Sequence, residues 1–297
     1  MSEQEALLNE INDHHTSHQR RRDIGDRLDE IGDTRPGVGV REDGLPEIVW
    51  LPVAPGGIMG TSWGSDTLTV SPFYIAKYQI TCAQYETFIK AADGFDNPEW
   101  WRWMPKEHQR QPLKEQNYLY KNNPRNSLSW YQSVAFARWL NKRLRGRNLI
   151  KPKHPGTTWV IGQNAQVRLP TEWEWQWAAY NSVQLRRYPW GDWQEGYANT
   201  YEAGLNRAVA VGMYPHGAAA CGALDMSGNL FEWCANDYFS LTTVEVGNNE
   251  LKTLIGGCFR HNHYSAGTTS RGNVNQITDI DCHGLRLVIS TPLAVFG

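Results

Sequence analysis

Beyond Tyr180 the chain carries no long helical period. The remaining residues are Gly-, Asn- and aromatic-rich loops between short apolar runs. Unstructured connections of that length are uncommon in compact domains, so something other than backbone ladders has to hold them down. Large aromatic bodies pinned onto a core are one such device, and a bound cation is another. The 14 tryptophans, many beside Gly, Pro or Asn in short turns, supply the first.

The amino-terminal half reads differently. Residues 1–45 read as a charged helical arm and linker, with Leu7, Leu8 and Ile11, then Ile24, Leu28 and Ile31 at helical spacing around a polar middle. Arg20-Arg21-Arg22 reads as a solvated helix face. His14 and His18 stand one turn apart as metal ligands would, but no third ligand lies near them. Arg35-Pro36-Gly37 ends the arm, and residues 46–297 form the main domain. Strands are predicted over Ile48–Val53 and Phe73–Ile80. Three helix starts share one device: Thr81 with Gln84, Ser129 with Gln132 and Thr171 with Glu174 each pair a hydroxyl at the N-cap with Glu or Gln three residues on. The second of these helices is predicted to run to about Arg145, with Val134, Ala137, Leu140 and Leu144 on one face.

A formal charge of −2 and a pI near 6.5 argue against nucleic acid as a partner. Membrane insertion is not expected, because no apolar run approaches the roughly 18 residues a spanning helix needs. The acidic start Met1-Ser2-Glu3-Gln4-Glu5 has no apolar stretch of the secretory kind, so cytoplasmic residence is the expectation. Cys82, Cys221, Cys234, Cys258 and Cys282 are odd in number and widely spaced, which argues against a disulfide framework or a zinc site.

Seven segments then occur in a telling order. They are Val53-Ala54-Pro55-Gly56-Gly57-Ile58-Met59-Gly60, Phe73 to Thr81, Arg168-Leu169-Pro170-Thr171-Glu172-Trp173-Glu174-Trp175, Tyr188-Pro189-Trp190-Gly191, Asp225-Met226-Ser227-Gly228-Asn229-Leu230-Phe231-Glu232-Trp233, Gly256-Gly257 and Gly284-Leu285-Arg286. The series resembles the formylglycine-generating enzyme (sulfatase-modifying factor) family across roughly residues 46–290. The resemblance implies an α+β, C-type-lectin-like fold rich in irregular loops, with structural calcium. Its calcium ligands carry over to the side chains of Asp225 and Glu232 and the carbonyls of Gly228 and Leu230, an all-oxygen set suited to a hard cation. A second family site begins at Asn199 and Thr200, with Glu202 as a substitute ligand.

The active members of the family bind copper through two cysteines shortly after a Gly-Gly-Ser-Trp turn. A soft redox ion needs such thiolates at fixed spacing. Here His261 and Ala266 fall on those positions, Cys258 falls on the turn's serine, and Cys282 lies far downstream. The expectation is therefore no copper and no catalytic residues. The alternative is a divergent copper- or iron-dependent oxidoreductase using a reorganised site.

The same segment resembles the non-catalytic variable proteins of diversity-generating retroelements, in which template adenines are randomised between the Gly-Gly turn and the last Gly-Phe-Arg-like strand. An AAY codon randomised at its first two positions never yields Lys, Glu, Gln, Met or Trp. Those types make up 59 of the 297 residues, so 26 residues should hold about five of them, yet Cys258–His283 holds one, Gln276. Tyr, Asn and Ser side chains also suit a recognition surface. The surface is expected to use Phe259, His261, Asn262, His263, Tyr264, Ser270, Asn273, Asn275, Ile277, Asp279, Asp281 and His283. Its ligand is expected to be a protein, and the arm is a candidate for docking a second partner.

Overall fold

The computed structural model describes residues 2–58, 68–109, 111–118, 120–150, 158–180, 186–240, 243–245 and 251–296. Met59 and Gly60 of the first quoted segment lie outside them. Two four-stranded sheets organise the body. In the first, all antiparallel, the order is Trp50–Val53, Phe73–Ala76, Val288–Ser290 and Gln166–Arg168. In the second, Arg271–Val274 pairs with Lys252–Ile255, which pairs with Phe231–Asp237, all antiparallel. His283–Gly284 closes that sheet in parallel with Phe231–Glu232.

The predicted strand over Phe73–Ile80 ends at Ala76. Beyond it the chain serves a different purpose: the Ile80 amide donates to Leu285 O, while the Gln79 side chain turns inward toward residues 225–232. Ile48–Val53 similarly shortens to Trp50–Val53.

Five α-helices occur among the described residues: α1 Glu3–Ile11, α2 His18–Ile31, α3 Cys82–Lys90, α4 Trp130–Arg143 and α5 Glu172–Tyr180. All three capping boxes form at α3, α4 and α5, each with its reciprocal pair of hydrogen bonds. Helix α4 has no solvent face over Trp130–Leu140. It threads the core, with Trp130 and Tyr131 toward the second sheet and Phe136 and Trp139 among the aromatic rings of α3, so an apolar stripe understates its burial. No helix of the described residues is long and apolar enough to cross a membrane.

The arm is two helices, separated by a polar turn and restarted by the Ser17 cap. Leu7, Ile11, Ile24 and Leu28 form one buried cluster with Val209, Ala210, Met213 and Tyr214 of the body. Arg21 departs from the reading of a solvated arginine run. It is buried, and its guanidinium donates to the carbonyls of Ile11, Asp13, Thr16 and Met213. His14 stacks on His216 at 3.5 Å between ring centres while His18 contacts the Tyr214 hydroxyl, so the two histidines face different partners.

Candidate functional site

The turn at Gly256-Gly257 sets the direction of everything after it. Both glycines have positive φ, +94° and +71°, and a Cβ on Gly257 would lie 2.7 Å from the Ala266 Cα. Only glycine fits such a backbone-on-backbone contact. The segment that follows is tied to three scaffold loops. Phe259 N donates to Asn229 O at 3.2 Å, His261 O accepts from Tyr201 N at 2.9 Å, and Thr268 N donates to Arg187 O at 2.8 Å. The Glu202 carboxylate accepts the His263 amide at 3.0 Å and the Thr200 hydroxyl at 2.6 Å.

Above these ties, His261, Asn262, Tyr264, Asn273, Asn275 and Ile277 are exposed, and His263, Ser270, Asp279 and Asp281 are half-buried. Two expected surface residues are not on the surface. Phe259 is packed in the main core, and His283 is buried edge-on against Trp233. Burial holds the His283 imidazole down at about 4, so it is neutral near pH 7. Strand pairing with Phe231 is what turns His283 inward.

Beneath this face lies an arrangement that sequence spacing did not reveal. The Sγ atoms of Cys258 and Cys282 are 2.6 Å apart, and both cysteines are free thiols. His261 Nδ1 lies 3.1 Å from Cys258 Sγ, and the Arg260 amide points at the same sulfur at 3.5 Å. Burial raises the Cys258 thiol, but Cys282, the Arg260 amide and His261 outweigh it and bring Cys258 down to about 7. Cys282 goes the other way, because its hydrogen bond with Cys258 and its burial both favour the protonated thiol. Cys282 lies far downstream of Cys258 in sequence, but the parallel pairing of His283–Gly284 with Phe231–Glu232 carries it back to the Gly-Gly turn.

The oxygens carried over as calcium ligands are largely engaged by the protein's own donors. Both oxygens of the wholly buried Glu232 are taken by the Arg286 guanidinium, at 2.8 to 3.1 Å. The Trp175 indole adds a 2.6 Å bond, and the Gln79 amide nitrogen donates to Glu232 Oε1 at 3.0 Å and to Leu230 O at 2.8 Å. A cation would have to displace that amide and compete with the guanidinium. Asp225, at φ +58°, accepts the Gly212 amide at 2.7 Å, and burial pushes its carboxyl up to about 6. Gly228 presses on Asn199, whose Oδ1 is buried without a hydrogen-bond partner. That is one free oxygen, while Thr200 and Glu202 bond to each other. Gln79 and Arg286 are the residues missed by sequence reasoning. Both lie inside quoted segments, but nothing local shows that they converge on Glu232.

The family described as "Sulfatase-modifying factor enzyme 1-like domain" matches residues 45–291. The "Formylglycine-generating enzyme" of Streptomyces coelicolor is 26% identical over 246 residues, covering 65% of this chain and 69% of that protein. The "Hercynine oxygenase" of Mycolicibacterium smegmatis is also 26% identical, over 247 residues, covering 68% of this chain but only half of that protein. Among solved structures, "Treponema denticola variable protein 1" superposes with a TM-score of 0.58 at 16% identity, covering 82% of this chain and 95% of that one. The fold is thus α+β and of the formylglycine-generating-enzyme, C-type-lectin-like kind.

Proposed function

We propose that this chain, which belongs to the sulfatase-modifying factor enzyme 1-like domain family, is a non-catalytic ligand-binding protein of the retroelement variable kind. Its recognition surface is the exposed part of residues 259–283. One observation carries the reading. Gln276, the one residue of the depleted types in that segment, is also buried there: its carbonyl accepts the Trp130 amide at 3.0 Å and its side chain accepts the Tyr131 hydroxyl. The exposed positions are therefore free of all five depleted types, and the exception is an anchor. Tyr264, Ile277 and Ile280 stand out at 57%, 37% and 46% exposure, three of the eight exposed large hydrophobics among the described residues. That density is far above the rest of the chain and suits a contact surface.

A surface already tied at Asn229, Tyr201, Glu202 and Arg187 loses little freedom on binding. A protein is the ligand class that fits, since Tyr264, Ile277 and Ile280 offer apolar contact area among exposed His and Asn side chains. Cytoplasmic residence belongs to the same reading. The genome around the coding region tests it. A reverse-transcriptase gene beside a near-duplicate of the stretch encoding residues 258–283, differing at adenines, is the expected finding. Absence of both removes the retroelement reading.

A second reading is favoured by the sulfur pair: a divergent metal-dependent oxidoreductase. It requires oxygen consumption with a cysteine-containing peptide by the metal-loaded protein, and the first reading requires none.

A further inference from the structure

We propose that Cys258, Cys282 and His261 form a binding site for a thiophilic closed-shell cation, Zn(II) or Cu(I), which clips together the two ends of the 258–283 segment. Neither cysteine falls on the positions, His261 and Ala266, where the family resemblance puts copper thiolates, so this donor set is the chain's own. The Sγ atoms of both cysteines and a ring nitrogen of His261 all lie within 4.8 Å of one another. Both sulfurs are buried while His261 is exposed, so an ion has dry ligands below and an entry path above. Two thiolates and an imidazole are soft to borderline donors that select d10 ions over calcium or magnesium.

The geometry needs little adjustment. Thiolates sharing one zinc at about 2.3 Å stand roughly 3.8 Å apart, so the sulfurs have to separate by only about 1 Å. Three protein ligands leave a fourth position open toward solvent for zinc, whereas Cu(I) is content with fewer. The surroundings hold the ligands in place. The Arg260 amide points at Cys258 Sγ, the His261 ring stands edge-on to Phe231 at 5.2 Å, and Arg260 pairs with Asp281 next to the cysteines. Binding displaces the thiol protons to solvent and involves no oxidant. The clip would close the 24-residue loop between Cys258 and Cys282.

The test uses the full chain, reduced with a phosphine and kept free of air. It is titrated separately with zinc and with Cu(I) against a chromophoric competitor. One equivalent of either ion is expected, and it should shield Cys258 and Cys282 from the alkylation they undergo in the metal-free chain. Cys258→Ser and Cys282→Ser should each weaken binding by more than the roughly 10- to 100-fold that loss of a supporting contact costs. His261→Ala should weaken zinc more than Cu(I), which tells the two ions apart. Melting curves of the metal-free variants check their folding, and the alkylation pattern of the unaltered chain stands even if a variant fails to fold. Sub-stoichiometric binding, binding indifferent to both serine variants, or a Cys258–Cys282 disulfide that persists in the phosphine would each overturn the proposal. None of these readouts involves a partner, so they stand apart from the recognition reading.

Discussion

Arg286 clasps both carboxylate oxygens of Glu232, and neither side chain has any solvent exposure. The guanidinium spends its remaining donors on the carbonyls of Ala76, Lys77 and Leu224. One ion pair thus joins the first sheet, the Asp225–Trp233 run and the last strand. Removing one partner strands a buried charge, so Glu232→Ala should destabilise by about 3–5 kcal/mol in urea unfolding. A loss under 1 kcal/mol would show that the pair is not the keystone of this junction.

Gln79 makes a sharper prediction about cations. Its amide nitrogen supplies the donor that Leu230 O and Glu232 need. The wild-type melting temperature should therefore be indifferent to EGTA. Gln79→Glu replaces that donor with an acceptor and sets a second carboxylate beside Glu232 and Leu230 O; the variant should melt lower and recover with millimolar calcium. Recovery in the wild type, or its absence in the variant, would contradict this account.

His283 sets a pH dependence. Its folded pKa, about 4, is below the ordinary 6.5, so the native state binds fewer protons than the unfolded chain between those values. Its contribution is fully present above about pH 6.5 and is lost as the pH falls toward 4, to the extent of about 3 kcal/mol at most. Asp225 opposes it: with a folded value near 6 against an ordinary 3.8, it favours the native state increasingly as the pH falls from 6 to 4. His283→Phe should therefore remove the acid-side loss and expose the opposite slope. Melting curves from pH 7 to 4 measure both.

Glu202 holds the recognition segment from the side, through the His263 amide and Thr200. Glu202→Ala should speed amide exchange at His263 while changing global stability by about 1 kcal/mol, the usual worth of such bonds. Unchanged exchange there would mean that the other ties suffice.

Local chemistry was legible in the sequence. The three capping boxes each involve residues three apart, and all formed at their predicted positions. The ordered motifs gave the fold for the same reason, since each is a short run with its own turn or strand. What escaped were pairings over distance: Arg286 lies 54 residues from Glu232, Gln79 lies 153 from it, and Cys282 returns to Cys258 only through a parallel strand pair. No local pattern marks such meetings. Burial was misread at Phe259 and His283 because composition suggests a surface and only strand direction says which way a side chain points.

The Gly25 backbone of α2 sits so close to the body that a methyl group there would lie 2.7 Å from the Ala210 Cβ. Contact this intimate makes the first two helices a plug rather than a free tether. Cutting them away would bare Val209, Met213 and Tyr214 to water, and we expect the shortened protein to clump under conditions where the full chain elutes as a single sharp species.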